Sequence, residues 1–172
     1  MLKIIRRLGF PQFTDFEKTE RPPDRLRSLK GVTLPIVSVF EAEGINSVEQ
    51  VAVADPVRLS IRTGFPFRFT LRLCSQAIVR RHFGRDASVL LPIGLADVVP
   101  IYLLVKAADG MASDNLPKIE NPGAVIAEAA TRLFPGTDPG QREAVARMKF
   151  RQIAAEEYTV MLARIMPLDP AL

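Results

Sequence analysis

Leu29-Lys30-Gly31-Val32 and Arg62-Thr63-Gly64-Phe65 decide the fold of this chain. Each is a short glycine turn standing ahead of a proline-started helix, with Pro35 after the first and Pro66 at the second. Glycine takes up left-handed backbone without steric cost, and proline fits a first helical turn, where a missing N–H loses no bond. Turns of this kind can present backbone N–H groups to a phosphate, or they can lock two helices into a compact unit. Gly31 and Gly64 are therefore both the fold markers and the first candidate site.

The residues between the turns are punctuated at every step. Asp24–Leu29 predicts a short helix with Asp24 as its N-cap. Thr33 is placed to cap the next helix, Ile36, Val37 and Phe40 supply its inward face, and Gly44-Ile45 reads as a left-handed stop followed by an apolar anchor. Ser47-Val48-Glu49-Gln50 fits a capping box for a short helix ending near Ala54. Asp55-Pro56 starts a helix through Arg62, and Gly64 stops it. Pro66 opens a longer helix that Gly84 ends. Residues 25–85 thus form one helical module.

Outward from the module the signals thin. Residues 1–24 read as an N-terminal arm, in which Phe10, Phe13 and Phe16 predict a short amphipathic turn and Glu17–Pro23 a polar linker. Residues 86–172 read as a C-terminal helical lobe. Pro92–Ala108 is one apolar helix or two separated near Pro100, Asp109–Gly123 is a loop, and Ala124–Phe134 is an alanine-rich helix. Asp138-Pro139 starts a last helix running to Ile165. It carries one apolar stripe of Val145, Met148, Ala155 and Leu162, and another of Phe150, Ala154, Tyr158, Met161 and Ile165. Two stripes imply contacts on two sides, hence a central position or a partner. No run alternates with the period of a strand, so the fold class is all-α.

Composition bounds the rest. The 172 residues are 48% apolar and 24% charged, enough for one good core. Cys74 is the single cysteine, which excludes an internal disulfide and a cysteine-based zinc site. Met1–Phe10 is basic but lacks the apolar run of a secretory signal. Ala87–Val105 carries only Asp97 as a charge, yet Pro92, Gly94 and Pro100 interrupt it, so it reads as buried core rather than a membrane span. A cytoplasmic location is expected, with membrane association through a partner or a separate anchor as the alternative. The net charge of +4 is uneven: residues 1–85 hold 15 Lys/Arg against 8 Asp/Glu, and residues 86–172 hold 8 against 11.

The turn at Leu29–Val32, the Gly44–Ala52 segment, Ala54-Asp55-Pro56-Val57-Arg58-Leu59 and Thr63-Gly64-Phe65 together resemble a tandem helix-hairpin-helix domain over about a third of the chain. More broadly, the chain is similar to uncharacterised bacterial helical proteins that pair this module with a C-terminal lobe, some of them membrane-anchored. The resemblance implies either backbone contact to nucleic acid or protein assembly. DNA-binding members use an apolar-Gly-apolar-Gly hairpin whose amides grip one phosphate backbone without reading bases. Here Thr33 stands where the second glycine is expected, and Pro66 removes a donor from the second hairpin. Those departures favour the protein-contact use.

The remaining candidate surface is basic. From Arg58 to Arg85 there are seven arginines and no acid. Arg68, Arg72, Gln76 and Arg80 follow at spacing four, opposite an apolar stripe of Phe67, Leu71, Cys74 and Ile78, and Arg58 and Arg62 form a second pair. Together they would offer an anion-binding face to a nucleic-acid backbone, an acidic protein or anionic lipid headgroups. The ordinary alternative is a solvated face whose arginines pair with acids of the second lobe. Phe65, Phe67, Phe69 and Phe83 interleave with the arginines, as base-stacking residues would, but their helical spacing reads as core.

Catalytic inventory is thin. His82 has no carboxylate or thiol beside it in sequence and reads as a surface histidine. Cys74 lies on the apolar stripe and reads as a small buried hydrophobe. Glu41/Glu43 and Glu156/Glu157 read as solvated helix faces, and Asp97 as a helix cap near Pro100. No phosphate loop, dinucleotide fingerprint or zinc-protease motif occurs. The sequence therefore leads to a non-catalytic interaction and assembly module, with protein partners or self-association. Sequence-independent nucleic-acid binding is the alternative. No catalytic, cofactor or metal site and no small-molecule substrate is expected, and an enzymatic role would need residues from another chain.

Overall fold

The computed structural model describes residues 25–111 and 117–166. These residues form eight α-helices and two 3-10 segments, with no strand among them. The chain is all-α. Asp24, the phenylalanine turn of residues 10–16 and the polar linker of residues 17–23 lie outside the described residues.

Leu26–Ser28 is a single 3-10 turn, shorter than the helix expected there. A 3-10 turn stacks residues three apart on one side, which puts Leu26 and Leu29 together into the core. Helix α1 (Leu34–Ala42) carries Pro35 in its first turn; Thr33 holds the N-cap position, but its side chain makes no cap bond. The stop at Gly44 is as expected. Its N–H donates to Glu41 O and that of Ile45 to Phe40 O, both at 2.9 Å, while Ile45 is buried. Helix α2 (Val48–Ala52) begins on the anticipated capping box, with Ser47 Oγ and Gln50 Oε1 each accepting the other residue's N–H at 3.2 Å. Helix α3 (Pro56–Thr63) is capped by Asp55, which accepts from Val57 N–H at 2.9 Å, and is ended by Gly64 at φ 72°.

Helix α4 (Phe67–Phe83) holds the molecule together. Leu71, Leu73, Cys74, Ala77, Ile78 and Val79 are all buried, and they point in nearly every direction around its axis. It packs against α2 and α3 before it, and against the 3-10 segment Gly84–Ile93, α5, α7 and α8 after it. One contiguous cluster of buried apolar residues runs from Leu26 to Leu162.

Helix α5 (Val98–Ala108) starts after Gly94 ends the 3-10 segment, so Pro92 closes one element and Pro100 stands in the first turn of the next. The expected break near Pro100 is thus a start. A first-turn N–H has no helical partner, so proline loses nothing there. Ala87, Leu90, Leu95 and most of α5 are buried, as expected for this apolar stretch. Among the described residues no single helix is long and apolar enough to cross a membrane; α4 with the 3-10 segment and α5 would be, but they bend by 74°.

Helix α6 (Pro122–Leu133) is capped by Asn121, and α7 (Pro139–Ala155) by Asp138 as expected. The single last helix anticipated to Ile165 is two. Glu156 is extended (φ −61°, ψ 129°), and α8 (Glu157–Ile165) restarts after it. The break also splits the expected stripes: Phe150 and Ala154 are buried, whereas Met161 and Ile165 are exposed.

Gly64 has no heavy atom within 4 Å of the place a Cβ would occupy, so only its backbone conformation resists substitution. Gly64→Ala is expected to cost about 1 kcal/mol in urea unfolding. Gly123→Ala, in the first turn of α6 with only an ordinary 3.8 Å contact, is expected to gain about 0.5 kcal/mol. Equal effects at both positions would contradict this assignment of strain.

Candidate functional site

Both glycine turns spend backbone donors inside the molecule. In the first, Lys30 N–H donates to Gln76 Oε1 at 2.8 Å and Val32 N–H to Leu29 O at 3.2 Å. Gly31 (φ 89°) lies against α4, where an added Cβ would stand 3.5 Å from the Phe69 ring. In the second, Gly64 N–H donates to Ser60 O at 2.9 Å and Phe65 N–H to Thr63 Oγ1 at 3.3 Å. Ser60 Oγ in turn donates to Phe65 O at 2.7 Å. The Phe65 ring stands edge-on to Phe40 and Phe69, with centroids 5.6 and 5.5 Å apart. These turns act as helix locks.

The arginines separate into different environments. Arg62 is engaged: its Nε donates to Glu43 Oε2 and its Nη2 to Glu43 O, each at 2.8 Å. Arg58 lies 3.8 Å from Asp55 at the surface, a pair worth little in water. Arg68 and Arg72 are exposed, whereas Gln76 and Arg80 are half-buried. Gln76 is occupied by the first turn, and Arg72 together with Lys30 acts electrostatically on Asp97. The stripe is therefore divided, with Arg68 at its open end and the first turn seated across Gln76. Of the interleaved phenylalanines, Phe83 is buried edge-on to Phe150, and Phe67 is the exposed one.

Asp97 stands at the N-cap of α5, but its side chain makes no cap bond. Ser75 Oγ, from α4, accepts the Val98 N–H at 2.9 Å instead. Asp97 Oδ1 is left buried without a hydrogen-bond partner. Burial raises its pKa above the ordinary Asp value, against the pull of Arg72 and Lys30.

His82 corrects its sequence reading. It is half-buried, its Nε2 is bonded to Glu156 Oε1, and Arg81 Nη2 holds Glu156 Oε2 at 2.6 Å. Glu156 is therefore a clamped carboxylate at the α7–α8 break rather than part of a solvated face. Cys74 matches its reading: it is fully buried, and burial pushes its thiol up to about 11, far from a nucleophile's range. Its Sγ–H points at Ala54 O at 3.7 Å, the carbonyl that also accepts from Tyr158 Oη. Burial first, and Cys74 second, raise the Tyr158 pKa. Among the described residues no three His, Cys, Asp or Glu side chains converge as metal ligands would.

Two outer faces remain. On α3, Val57 and Ile61 (77% exposed) lie beside Arg58 and Arg62. On the C-terminal lobe, Met148 of α7 is 52% exposed, and Met161 and Ile165 of α8 are 37% and 44% exposed. The outer side of α8 borders an open concavity of about 590 Å³ lined by Glu157, Tyr158, Val160, Met161, Arg164 and Ile165. Comparison with protein-family models, curated proteins and solved structures returns no match. The sequence reading missed the Glu156 clamp and the outward turn of α8. It held no signal for the break, because no proline or glycine occurs between Gln141 and Met166.

The Asp97 environment sets a pH dependence. An acid whose folded pKa is raised binds its proton more tightly when folded, so stability is highest below the ordinary Asp range and falls as pH rises through the folded pKa. Asp97→Asn is expected to raise the urea midpoint at neutral pH, with the gap closing in acid. A loss of stability at neutral pH would mean that attraction to Arg72 and Lys30 outweighs burial.

Proposed function

We propose that this chain is a non-catalytic protein-assembly module, in which a helix-hairpin-helix-like pair of turns is packed with a C-terminal helical lobe. The observation that carries the reading is the apolar exposure of the C-terminal lobe, at Met148 of α7 and at Met161 and Ile165 of α8. Met148, Met161 and Ile165 are large side chains partly left to water, although α7 buries Ala146, Phe150, Ile153 and Ala154 and α8 buries Thr159 and Leu162. Such a face gains free energy when a partner covers it. The tandem-turn reading is supported by two glycines at φ 89° and 72°, each joining two helical segments beside α4. A cytoplasmic site of action goes with it, in keeping with a free buried thiol at Cys74.

The alternative, sequence-independent nucleic-acid binding, draws on exposed Arg58 and Arg68. It lacks the feature that makes a hairpin grip phosphate, since donors at both turns are used internally. An anionic lipid surface meets the same two arginines and Ile61, without the lobe face entering at all.

Two measurements separate these readings. A photo-crosslinking side chain at position 148 is expected to trap a protein in cells, while one at position 68 traps none. Titration with single- and double-stranded DNA and RNA is expected to show no binding that Arg68→Glu abolishes. Salt-sensitive nucleic-acid binding lost on Arg68→Glu, with no adduct from position 148, would falsify the assembly reading.

A further inference from the structure

The outer side of α8 carries both signs of charge around an apolar centre. On a helix, Glu157 and Arg164 stand seven residues apart and so nearly in line, with Val160 and Met161 between them on the same side. Glu157, Met161 and Arg164 are exposed, while the opposite side buries Thr159 and Leu162. Among the described residues neither Glu157 nor Arg164 makes an ion pair, whereas the adjacent Glu156 is bound to Arg81.

That pattern is complementary to its own reverse. When a helix meets a copy of itself antiparallel about a two-fold axis between positions 160 and 161, each residue faces the one equally far on the other side. Glu157 then faces Arg164 of the second copy, twice, and Met161 meets Val160 at the axis. Two-fold contacts need such self-complementarity, because the same patch serves both sides. The α3 face does not have it: the charges beside Val57 and Ile61, Arg58 and Arg62, are answered within the chain by Asp55 and Glu43, which leaves no opposite pair to set a register between copies.

We propose that the chain forms a two-fold dimer through α8, with Glu157 and Arg164 pairing across the axis and Met161 packing on Val160 of the second copy. This rests on the reading of the lobe face as a protein-binding surface and names its occupant as a second copy. The ion pairs set direction and register, and Met161 and Val160 supply the buried apolar area at the axis.

The test is sedimentation of the full chain over a concentration series reaching the millimolar range, with circular dichroism to show that each variant is folded. Wild type is expected to pass from monomer to dimer. Met161→Asp, a substitution at an exposed position, is expected to weaken dimerisation on the order of a hundredfold. Glu157→Arg and Arg164→Glu alone are each expected to weaken it about tenfold by opposing like charges, and the double swap to return it to within about threefold of wild type. A chain that stays monomeric throughout overturns the dimer. So does a dimer indifferent to Met161→Asp, or one that the double swap fails to restore. Crosslinking from position 148 to a different protein by a chain that remains monomeric would remove the dimer and leave the assembly reading standing.

Discussion

Burial of α4 on almost all sides is the constraint on which the other elements depend. A helix surrounded by protein must have every inward polar group answered, because an unpaired hydroxyl in the interior costs about 1–3 kcal/mol. Each such group on α4 is answered by a particular neighbour. Thr70 Oγ1 donates to Pro56 O at 3.1 Å and so pins the start of α3. Ser75 Oγ takes the Val98 N–H at 2.9 Å and so fixes where α5 begins. Cys74 turns to Ala54 O, the carbonyl that Tyr158 also reaches from α8. One helix thereby sets the position of three others through side chains that are small enough to be enclosed.

This arrangement explains why the basic residues of α4 do not form a single anion-binding face. The side of the helix that the stripe occupies is narrow, and the first glycine turn is bonded across it at Gln76. Arg81, outside the stripe, is drawn to Glu156 of the second half of the chain, and Arg72 acts on Asp97. The opposite charge balances of the two halves are thus partly spent on each other. The exposed arginines, among them Arg58, Arg68 and Arg72, are a field rather than a site. The apolar surface follows a different rule, since Met148 keeps 52% and Met161 37% of its surface in water.

Local punctuation made the first half legible. Gly44, Gly64, the Ser47–Gln50 box and Asp55-Pro56 act through backbone conformation and bonds spanning at most a few residues, so their meaning survives without knowledge of the fold. The readings that failed depend on partners far apart in sequence. Asp97 occupies a cap position, but Ser75 reaches the amide first, from another helix. His82 is given its carboxylate by a residue 74 positions later. Pro100 was ambiguous for a local reason, because proline both breaks a helix and suits its first turn, and only Gly94 upstream decides between the two. At the candidate surface, Met161 and Ile165 belong to the second apolar stripe read from the sequence, which left a central position and a partner contact both open; the structure leaves them exposed.

The phase of that stripe shows how a distant ion pair shapes the outer surface. In an unbroken helix Met161 follows Phe150 by eleven residues, nearly a whole number of turns, and would lie on the same side. Phe150 is fully buried, so a straight α7–α8 helix would carry Met161 and Ile165 inward with it. The extended Glu156 interrupts this phase, and after it Thr159 and Leu162 face the core instead. Glu156 has neither a proline's geometry nor a glycine's freedom. Its carboxylate, however, is held from α4 by Arg81 and His82, and a continuous helix would direct it elsewhere. The charge pair between the two halves of the chain thus coincides with the point that decides which side of α8 meets water. The basic end of α4 and the exposed side of α8 therefore meet at one residue, Glu156.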